Sequence, residues 1–214
     1  MESILSIQDV VKRFQTATVL DHINLEIAQG SVHGLVGRNG CGKTMILKCI
    51  CGMVPVTEGK ILYRGKEIGK DIEMPDHLGA LIESPGFLED YNAVWNLRFL
   101  ASMSGKPDVG YLKDLIRQVG LDPESKLKVG KYSMGMKQRL GIAQAIMDKP
   151  ELLLLDEPMN GLDNHGVDEM RRLFKTLKEQ GTTIIIASHI AEDIQILCDA
   201  VTYLDHGRIV EEKV

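Results

Sequence analysis

The chain has 214 residues, of which 44% are apolar and 26% are charged, so it can bury a sizeable core without disulfide or metal support. These values exclude a disordered chain and a disulfide-stapled mini-protein. The 25 basic and 30 acidic residues give a formal net charge of −5, and no basic block is present that could neutralise a row of nucleic-acid phosphates. We therefore expect one large domain, or a core with a subdomain, and no nucleic-acid partner.

The sequence lacks the patterns typical of membrane-spanning and secreted proteins. Its longest aliphatic runs, such as residues 152–155 and 184–187, are far shorter than the roughly 18 apolar residues of a membrane span. The first ten residues alternate polar and apolar side chains, without the positive start and apolar middle of a signal peptide. The four cysteines form neither a CxxC pair nor a zinc spacing, which favours reduced thiols. We therefore expect a cytoplasmic protein.

The first 84 residues predict strands around one early helix. Two alternating segments, residues 5–11 and 21–27, are typical of antiparallel strands. Apolar residues then recur at helical spacing between Met45 and Met53. A Ser-Pro-Gly sequence at residues 84–86 marks a boundary. The other strands predicted in this part are residues 32–36, 60–63 and 77–82.

Residues 85–149 predict a helical insertion. Three segments within them place apolar residues at helical spacing, at residues 94–101, 112–119 and 140–146. We therefore expect a helical subdomain at 85–149, inserted into a core formed by residues 1–84 and 150–214.

After residue 150, strands and helices alternate. Such alternation indicates an α/β fold with a mostly parallel sheet covered by helices on both faces, to which the first strands add an antiparallel β subdomain. The predicted strands are residues 152–155, 182–187, 200–204 and 208–210, and the predicted helices are residues 167–177 and 190–197.

A glycine-rich loop joins the predicted strand at residues 32–36 to the helix that follows. It fits G-x-x-x-x-G-K-[ST], the phosphate loop of P-loop NTPases, in the strand-to-helix context that this pattern requires. Backbone N–H groups of such a loop point at phosphate oxygens, and the helix start adds partial positive charge. Lys43 would neutralise the terminal phosphates and Thr44 would bind Mg²⁺; a glycine-rich turn without a ligand is the alternative. The predicted nucleotide-binding residues here are Gly37, Arg38, Asn39, Gly40, Cys41, Gly42, Lys43, Thr44 and Met45.

Two acidic residues follow the aliphatic run at residues 152–155. Asp156 and Glu157 would therefore lie at the carboxyl end of a buried strand, where open parallel sheets bind their ligands. Asp156 is the candidate partner of Mg²⁺, and Glu157 could polarise the water that attacks the phosphate. Capping of the next helix is the alternative use of these acids, and the phosphate loop makes it the weaker one.

A third segment makes the pattern more specific. Residues 132–139 read Tyr-Ser-Met-Gly-Met-Lys-Gln-Arg, and the three motifs together resemble the ATP-binding subunit of an ABC transporter over essentially the whole chain. Ser133 and Gly135 match the Ser and the second Gly of that family's LSGGQ signature, whereas the other three residues differ. Ser133 could cap a helix that begins near Met134, and its hydroxyl and the free N–H groups there would suit a γ-phosphate. A plain helix cap is the alternative.

The resemblance also implies roles for three isolated residues. His189, which follows the predicted strand at 182–187, matches the switch histidine that contacts the γ-phosphate. Asp163 falls in the D-loop at residues 160–163, which implies a place at a subunit interface. Phe14 matches the aromatic residue that stacks on adenine, with edge packing as the alternative. The implied catalytic residues are then Glu157, His189 and Lys43.

Glu83 departs from the family pattern. Most members have a glutamine here that reaches Mg²⁺ and the attacking water, whereas Glu83 brings a negative charge and cannot donate a hydrogen bond when ionised. The replacement resembles the branch of bacitracin and lantibiotic self-protection exporters; a substitution without bearing on the substrate is the alternative. The implied metal-binding residues are Thr44, Glu83 and Asp156.

The resemblance implies an ATPase that powers transport, with ATP and Mg²⁺ as cofactors. Two copies, or this chain and a homologous subunit, would face head to tail and trap two ATP molecules between the phosphate loop of one and the signature of the other. A separate transmembrane permease would dock near residues 83–100 and hold the chain at the inner face of the cell membrane. The alternatives are an ABC-type ATPase that acts on ribosomes or DNA, and a P-loop kinase for a small molecule.

Overall fold

Ten β-strands and six α-helices form the part of the chain that the structure, a computed structural model, describes: residues 2–105 and 107–211. The strands are β1 (Ser3–Phe14), β2 (Ala17–Ala28), β3 (Val32–Val36), β4 (Glu58–Tyr63), β5 (Lys66–Glu67), β6 (Leu78–Leu81), β7 (Leu152–Asp156), β8 (Thr183–Ser188), β9 (Ala200–Asp205) and β10 (Arg208–Val210). The helices are α1 (Lys43–Ile50), α2 (Ala93–Ser104), α3 (Val109–Gln118), α4 (Met134–Ile146), α5 (Asn164–Glu179) and α6 (Ala191–Leu197), with a 3₁₀ turn at Val129–Lys131. The predicted core and insertion also contain Met1, Lys106 and residues 212–214, which lie outside the described residues.

The larger sheet has the strand order β10-β9-β3-β8-β7-β6. Its strands β9, β3, β8, β7 and β6 run parallel, and β10 pairs antiparallel with β9. This confirms the predicted α/β fold with a mostly parallel sheet. Because the strands are parallel, the carboxyl ends of β3, β6, β7 and β8 meet at one edge, which brings together the loops that follow them.

The smaller sheet, in the order β2-β1-β4-β5, is antiparallel and confirms the antiparallel strands that open the sequence. β1 and β2 each extend over 12 residues, longer than the alternating segments predict. β5 has only two residues, too few to show an alternation, so the sequence pattern does not predict it.

Two hydrophobic clusters lie on opposite faces of the larger sheet. Leu153 and Leu155 of β7 pack in one cluster with apolar residues of α2, α3, α4 and α5. Leu152 and Leu154 point to the other face and pack with α1 and the smaller sheet, as the two-residue period of a strand requires. The helices of the predicted insertion therefore share one hydrophobic cluster with the sheet, and α4 packs directly against β6. No helix within the described ranges is long and apolar enough to cross a membrane.

The first helix is shorter than its apolar pattern predicts. α1 ends at Ile50, and the prediction that Met53 continues it is wrong, because Met53 is 63% exposed. Gly52 takes a φ of 74°, a left-handed conformation that terminates helices, and the amide of Met53 donates instead to the Lys48 carbonyl.

Two predicted strands also change their bounds. The strand expected at 77–82 narrows to β6 because His77 and Glu83 take φ values of 50° and 60°, which extended backbone does not allow. The strand expected at 182–187 is shifted by one residue in β8. Within β6, Gly79 lets α4 approach: an added Cβ would lie 2.1 Å from the carbonyl oxygen of Ala145.

Candidate nucleotide-binding site

The loop between β3 and α1 has a backbone that requires its glycines. Gly40 and Gly42 take φ values of 81° and 115°, in the region that side chains disfavour. Gly37 is enclosed, since an added Cβ would lie 2.3 Å from the carbonyl oxygen of Leu204. The loop therefore passes close to neighbouring backbone and leaves the N-terminus of α1 open, which is the geometry of an anion site.

Lys43, the first residue of α1, reaches back over this loop. Its side chain is 5% exposed, and its Nζ donates to the carbonyls of Gly37 at 2.6 Å and Arg38 at 3.3 Å. The same Nζ lies 3.6 Å from Oε1 of Glu157. A buried ammonium thus stands between the loop and a carboxylate, where it can exchange carbonyl oxygens for phosphate oxygens.

Thr44 and Asp156 form a direct contact between α1 and the end of β7. The Thr44 hydroxyl donates to Oδ2 of Asp156 at 2.7 Å. Burial raises the pKa of the Asp156 carboxyl above its usual value, although the hydrogen bonds from Thr44 and from the backbone N–H of Glu83 oppose the shift. The pair presents a hydroxyl and a carboxylate, both oxygen ligands that Mg²⁺ accepts.

Glu157 has one carboxylate oxygen in contact with His189 and one without a hydrogen-bond partner in the part of the chain that the structure describes. Its backbone has a φ of 48°, and its carbonyl accepts a hydrogen bond from Nε2 of Gln138 at 3.2 Å. Oε2 lies 2.8 Å from Nδ1 of His189. Oε1 is buried and has no hydrogen-bond partner among the described residues. A carboxylate with one fixed and one unsatisfied oxygen can accept the proton of a water molecule.

Glu83, which follows β6, turns its side chain towards α1. Its backbone is left-handed, with a φ of 60°, and its Oε1 lies 2.5 Å from Nζ of Lys48. The ion pair is partly exposed, with 25% of the Lys48 side chain and 61% of the Glu83 side chain accessible.

Most of the predicted site residues surround one cleft of about 380 Å³. Gly37, Arg38 and Cys41 belong to the loop but do not line the cleft, and His189 joins it through Glu157. A larger groove of about 870 Å³ between α3 and α5 contains none of the predicted residues. The predicted residues that line the smaller cleft are Asn39, Gly40, Gly42, Lys43, Thr44, Met45, Glu83, Asp156 and Glu157.

Ser133, Gly135 and Asp163 lie outside the cleft. Ser133 caps α4 by accepting a hydrogen bond from the Met136 amide at 3.2 Å, as its sequence position predicts. Asp163 caps α5 in the same way. Gly135 packs against the D-loop, since an added Cβ would lie 2.5 Å from the carbonyl oxygen of Gly161.

Phe14 is also outside the cleft. Its ring is 45% exposed, and the ammonium of Lys12 lies 4.6 Å from the ring centroid. An exposed ring with a cation on one face can still stack a base on the other.

Sequence reasoning missed Val19 and Lys48, which line the cleft, and Gln138, which contacts Glu157. Lys48 lies four residues after Thr44, so helical spacing alone places both on one face of α1, a signal that could have found it. Gln138 and Glu157 are 19 residues apart in the sequence, and no local sequence pattern predicts a contact between them.

The residues present fit a magnesium ion that arrives with a nucleotide. Among the described residues, no group of three or more His, Cys, Asp or Glu side chains is arranged to hold a metal. Mg²⁺, however, is usually bound by one or two carboxylates together with substrate phosphates. The Thr44 hydroxyl and the carboxylates of Asp156 and Glu83, which line the same cleft, supply that chemistry.

The sequence matches known proteins over nearly its whole length. The profile of the ABC transporter family matches residues 20–160. The chain is 42% identical to YybJ of Bacillus subtilis, an uncharacterized ABC transporter ATP-binding protein, over 99% of this chain and 97% of that protein. It is 41% identical to the bacitracin transport ATP-binding protein BcrA of Bacillus licheniformis, over 99% of this chain and 70% of that protein. Identity to the lantibiotic transport ATP-binding protein SrtF of Streptococcus pyogenes is 37%, over 98% and 90%.

The fold matches solved structures as well. An ATP-binding subunit of an ABC transporter superposes with a TM-score of 0.85 at 26% identity, over 97% of this chain and 88% of that one. A dimeric ATP-binding cassette bound to ADP and phosphate superposes with a TM-score of 0.87 at 20% identity, over 98% and 97%; that likeness supports the fold alone.

Proposed function

The chain belongs to the ABC transporter family, and from that membership we propose that it powers export of a peptide antibiotic through a separate membrane permease, by closing as a head-to-tail pair around ATP. It is an ATP-binding subunit and an ATPase. The observation that carries the proposal is the cleft in which Lys43, Asp156 and Glu157 converge beside the phosphate loop.

The cleft residues divide the work of hydrolysis. Backbone N–H groups of the loop bind the phosphates, and Lys43 leaves the Gly37 carbonyl to neutralise their charge. Thr44 and Asp156 would hold Mg²⁺, which when bound screens the phosphate oxygens. Glu157 accepts the proton of the attacking water at Oε1, while His189 fixes Oε2. By its resemblance to the family's switch histidine, His189 would also contact the γ-phosphate.

Pairing of two chains is supported by the position of the signature and D-loop residues outside the cleft. Ser133, Gly135 and Asp163 do not line it. Ser133 and the free N–H groups at the start of α4 would instead offer a second surface for phosphate. In a head-to-tail pair, this surface covers the nucleotide of the partner, and Phe14 stacks on the adenine. ATP then favours the closed pair by mass action, and hydrolysis of the γ-phosphate releases it.

The names of two relatives support the proposed cargo. BcrA and SrtF are named for bacitracin and lantibiotic transport, and we extend that class of substrate, with export as the direction, to this chain. A permease that docks near residues 83–100 would place the chain in the cytoplasm, on the inner face of the membrane. Since these relatives are transport proteins, an ATPase acting on ribosomes or DNA is not favoured.

Replacement of Glu157 by Gln tests the proposed function. Glu157→Gln removes the proton acceptor and keeps the side-chain volume. We expect it to bind ATP, to pair more persistently, and to lose roughly 10²- to 10⁴-fold in turnover, the range for removal of a proton-handling group. ATPase assays measure the turnover, and light scattering with saturating ATP and magnesium measures the pairing.

Glu151 offers a matched control at the opposite end of the same strand. It precedes β7 as Glu157 follows it, and it pairs with Arg64 at the surface. Glu151→Gln should keep wild-type turnover. Unchanged ATPase activity in Glu157→Gln would show that another residue is the base, and a strictly monomeric Glu157→Gln chain in ATP, even beside its permease, would contradict pairing.

A further inference from the structure

Helix α1 supplies a separate partner for each of three carboxylates at the edge of the sheet. Lys43 Nζ lies 3.6 Å from Glu157, the Thr44 hydroxyl 2.7 Å from Asp156, and Lys48 Nζ 2.5 Å from Glu83. The first two partners belong to the phosphate loop motif. Lys48 does not, yet it lines the same cleft with Glu83.

The backbone of Glu83 directs its side chain, and Lys48 holds its carboxylate. Glu83 follows β6 with a left-handed φ of 60°, which sets the direction in which the side chain leaves the strand. The Lys48 ammonium then fixes the carboxylate. Loss of Lys48 would therefore free the carboxylate without moving the backbone that carries it.

The charge balance of the cleft depends on this pair. Three carboxylates face the cleft, and Lys43 and Lys48 are the two ammonium groups that line it. An uncompensated Glu83 would repel a triphosphate and attract a divalent cation. Because the pair is partly exposed, the carboxylate can exchange its ammonium partner for a metal at little cost.

We propose that Lys48 is a positioning residue that holds and neutralises Glu83 in the nucleotide-free chain, so that ATP enters readily without metal and Glu83 turns to Mg²⁺ only when the metal is present. The proposal rests on the assignment of this cleft as the ATP site. Lys48 thereby sets how strongly nucleotide binding depends on magnesium.

The test compares the affinity of the purified full chain for a fluorescent ATP analogue, mant-ATP, in EDTA and in Mg²⁺. We expect Lys48→Gln to weaken metal-free binding about three- to tenfold and magnesium-dependent binding less than about twofold. Lys48→Arg keeps the charge and should restore the wild-type ratio of the two affinities. In the Glu83→Gln background, Lys48→Gln should change that ratio less than about twofold, because no carboxylate remains to be held.

A second lysine from an exposed Lys–Glu pair serves as the control. Lys70 pairs with Glu67 at 3.2 Å, outside the cleft, and Lys70→Gln should leave both affinities unchanged. The proposal is overturned if Lys48→Gln weakens both affinities equally, or if its effect on the ratio is the same in the wild-type chain and in the Glu83→Gln background. Wild-type chain that binds mant-ATP in neither condition would instead overturn the proposed function.

Discussion

Gln138 connects helix α4, which carries the predicted signature residues, to the backbone carbonyl of Glu157 in the same chain. Its side chain is 8% exposed, and its Nε2 donates to the Glu157 carbonyl at 3.2 Å. Glu157 needs such support, because a left-handed φ of 48° costs a non-glycine residue about 1 kcal/mol or more. The hydrogen bond therefore helps to keep the carboxylate aimed at the phosphate loop.

Removal of this hydrogen bond should slow hydrolysis without weakening ATP binding. Gln138→Met keeps the volume and loses the donor, so we expect kcat to fall about tenfold, which corresponds to about 1.4 kcal/mol, while KM changes less than about twofold. Steady-state ATPase kinetics measure both constants. The control is Gln144→Met, the same change on the same helix at a residue without a contact to Glu157, and it should leave kcat and KM unchanged. If Gln138→Met raised KM as much as it lowered kcat, the positioning role would be contradicted.

At this scale local sequence patterns mark the motif residues but not the residues that contact them. Asp156, Glu157 and the loop residues are found because a buried strand and a glycine-rich loop each leave a local pattern. The contact of Lys48 with Glu83 spans 35 positions, and that of Gln138 with Glu157 spans 19. Such pairs exist only once the sheet order is fixed, and no local pattern carries that order.

At the scale of elements, helix α4 begins after Ser133, which caps the helix and is also proposed to contact a nucleotide. Ser133 accepts the hydrogen bond of the Met136 amide, and its hydroxyl is also the proposed contact to a partner's γ-phosphate. Asn92, Asp108 and Asp163 cap α2, α3 and α5 in the same way, so an aspartate is an acceptable cap in this fold.

Ser133→Asp should separate the two purposes. An aspartate caps as well as a serine, to within a few tenths of a kcal/mol, so the melting temperature should stay within about 2 °C. The added negative charge would face the triphosphate, and we expect turnover to fall about tenfold or more. Asn92→Asp, which also adds charge at a cap, should retain activity. A Ser133→Asp chain with full turnover would leave Ser133 as a helix cap only.

The elements that the sequence predicts are those with long or continuous patterns. β7 and β8 are found because uninterrupted aliphatic residues need burial on both faces, and α4 because Ser133 marks its start. β5 is missed because its two residues form by pairing with β4 and have no pattern of their own. Met53 is mispredicted because Gly52 breaks the helix before the apolar spacing ends.

At the scale of the whole molecule, the division into a core and a helical insertion at 85–149 stays a prediction. The helices α2, α3 and α4 pack in one hydrophobic cluster with β7, β8 and α5, so the proposed insertion has no separate apolar core among the described residues. Sequence periodicity reports the type of each element and does not report which elements share a core.

Mixing two impaired variants tests whether the ATP site is shared. Lys43→Ala disables the phosphate loop, and Ser133→Asp disables the signature surface. In a head-to-tail pair of the two variants, one site contains both lesions and the other contains none. An equal mixture should therefore recover up to about a quarter of wild-type turnover, given random pairing in a symmetric dimer, as measured by ATPase assay. If each chain completed its own ATP site, the mixture would recover no turnover. Each variant alone is the control and should also show no recovery.

Contacts within a single chain give this shared arrangement a further property. Gly135 packs against the carbonyl of Gly161, and Gln138 donates to the carbonyl of Glu157. In the proposed pair, these two contacts would connect the surface that meets a neighbour's triphosphate to the chain's own Glu157. Binding at one site would then be coupled to hydrolysis at the other through the backbone from residue 157 to residue 161.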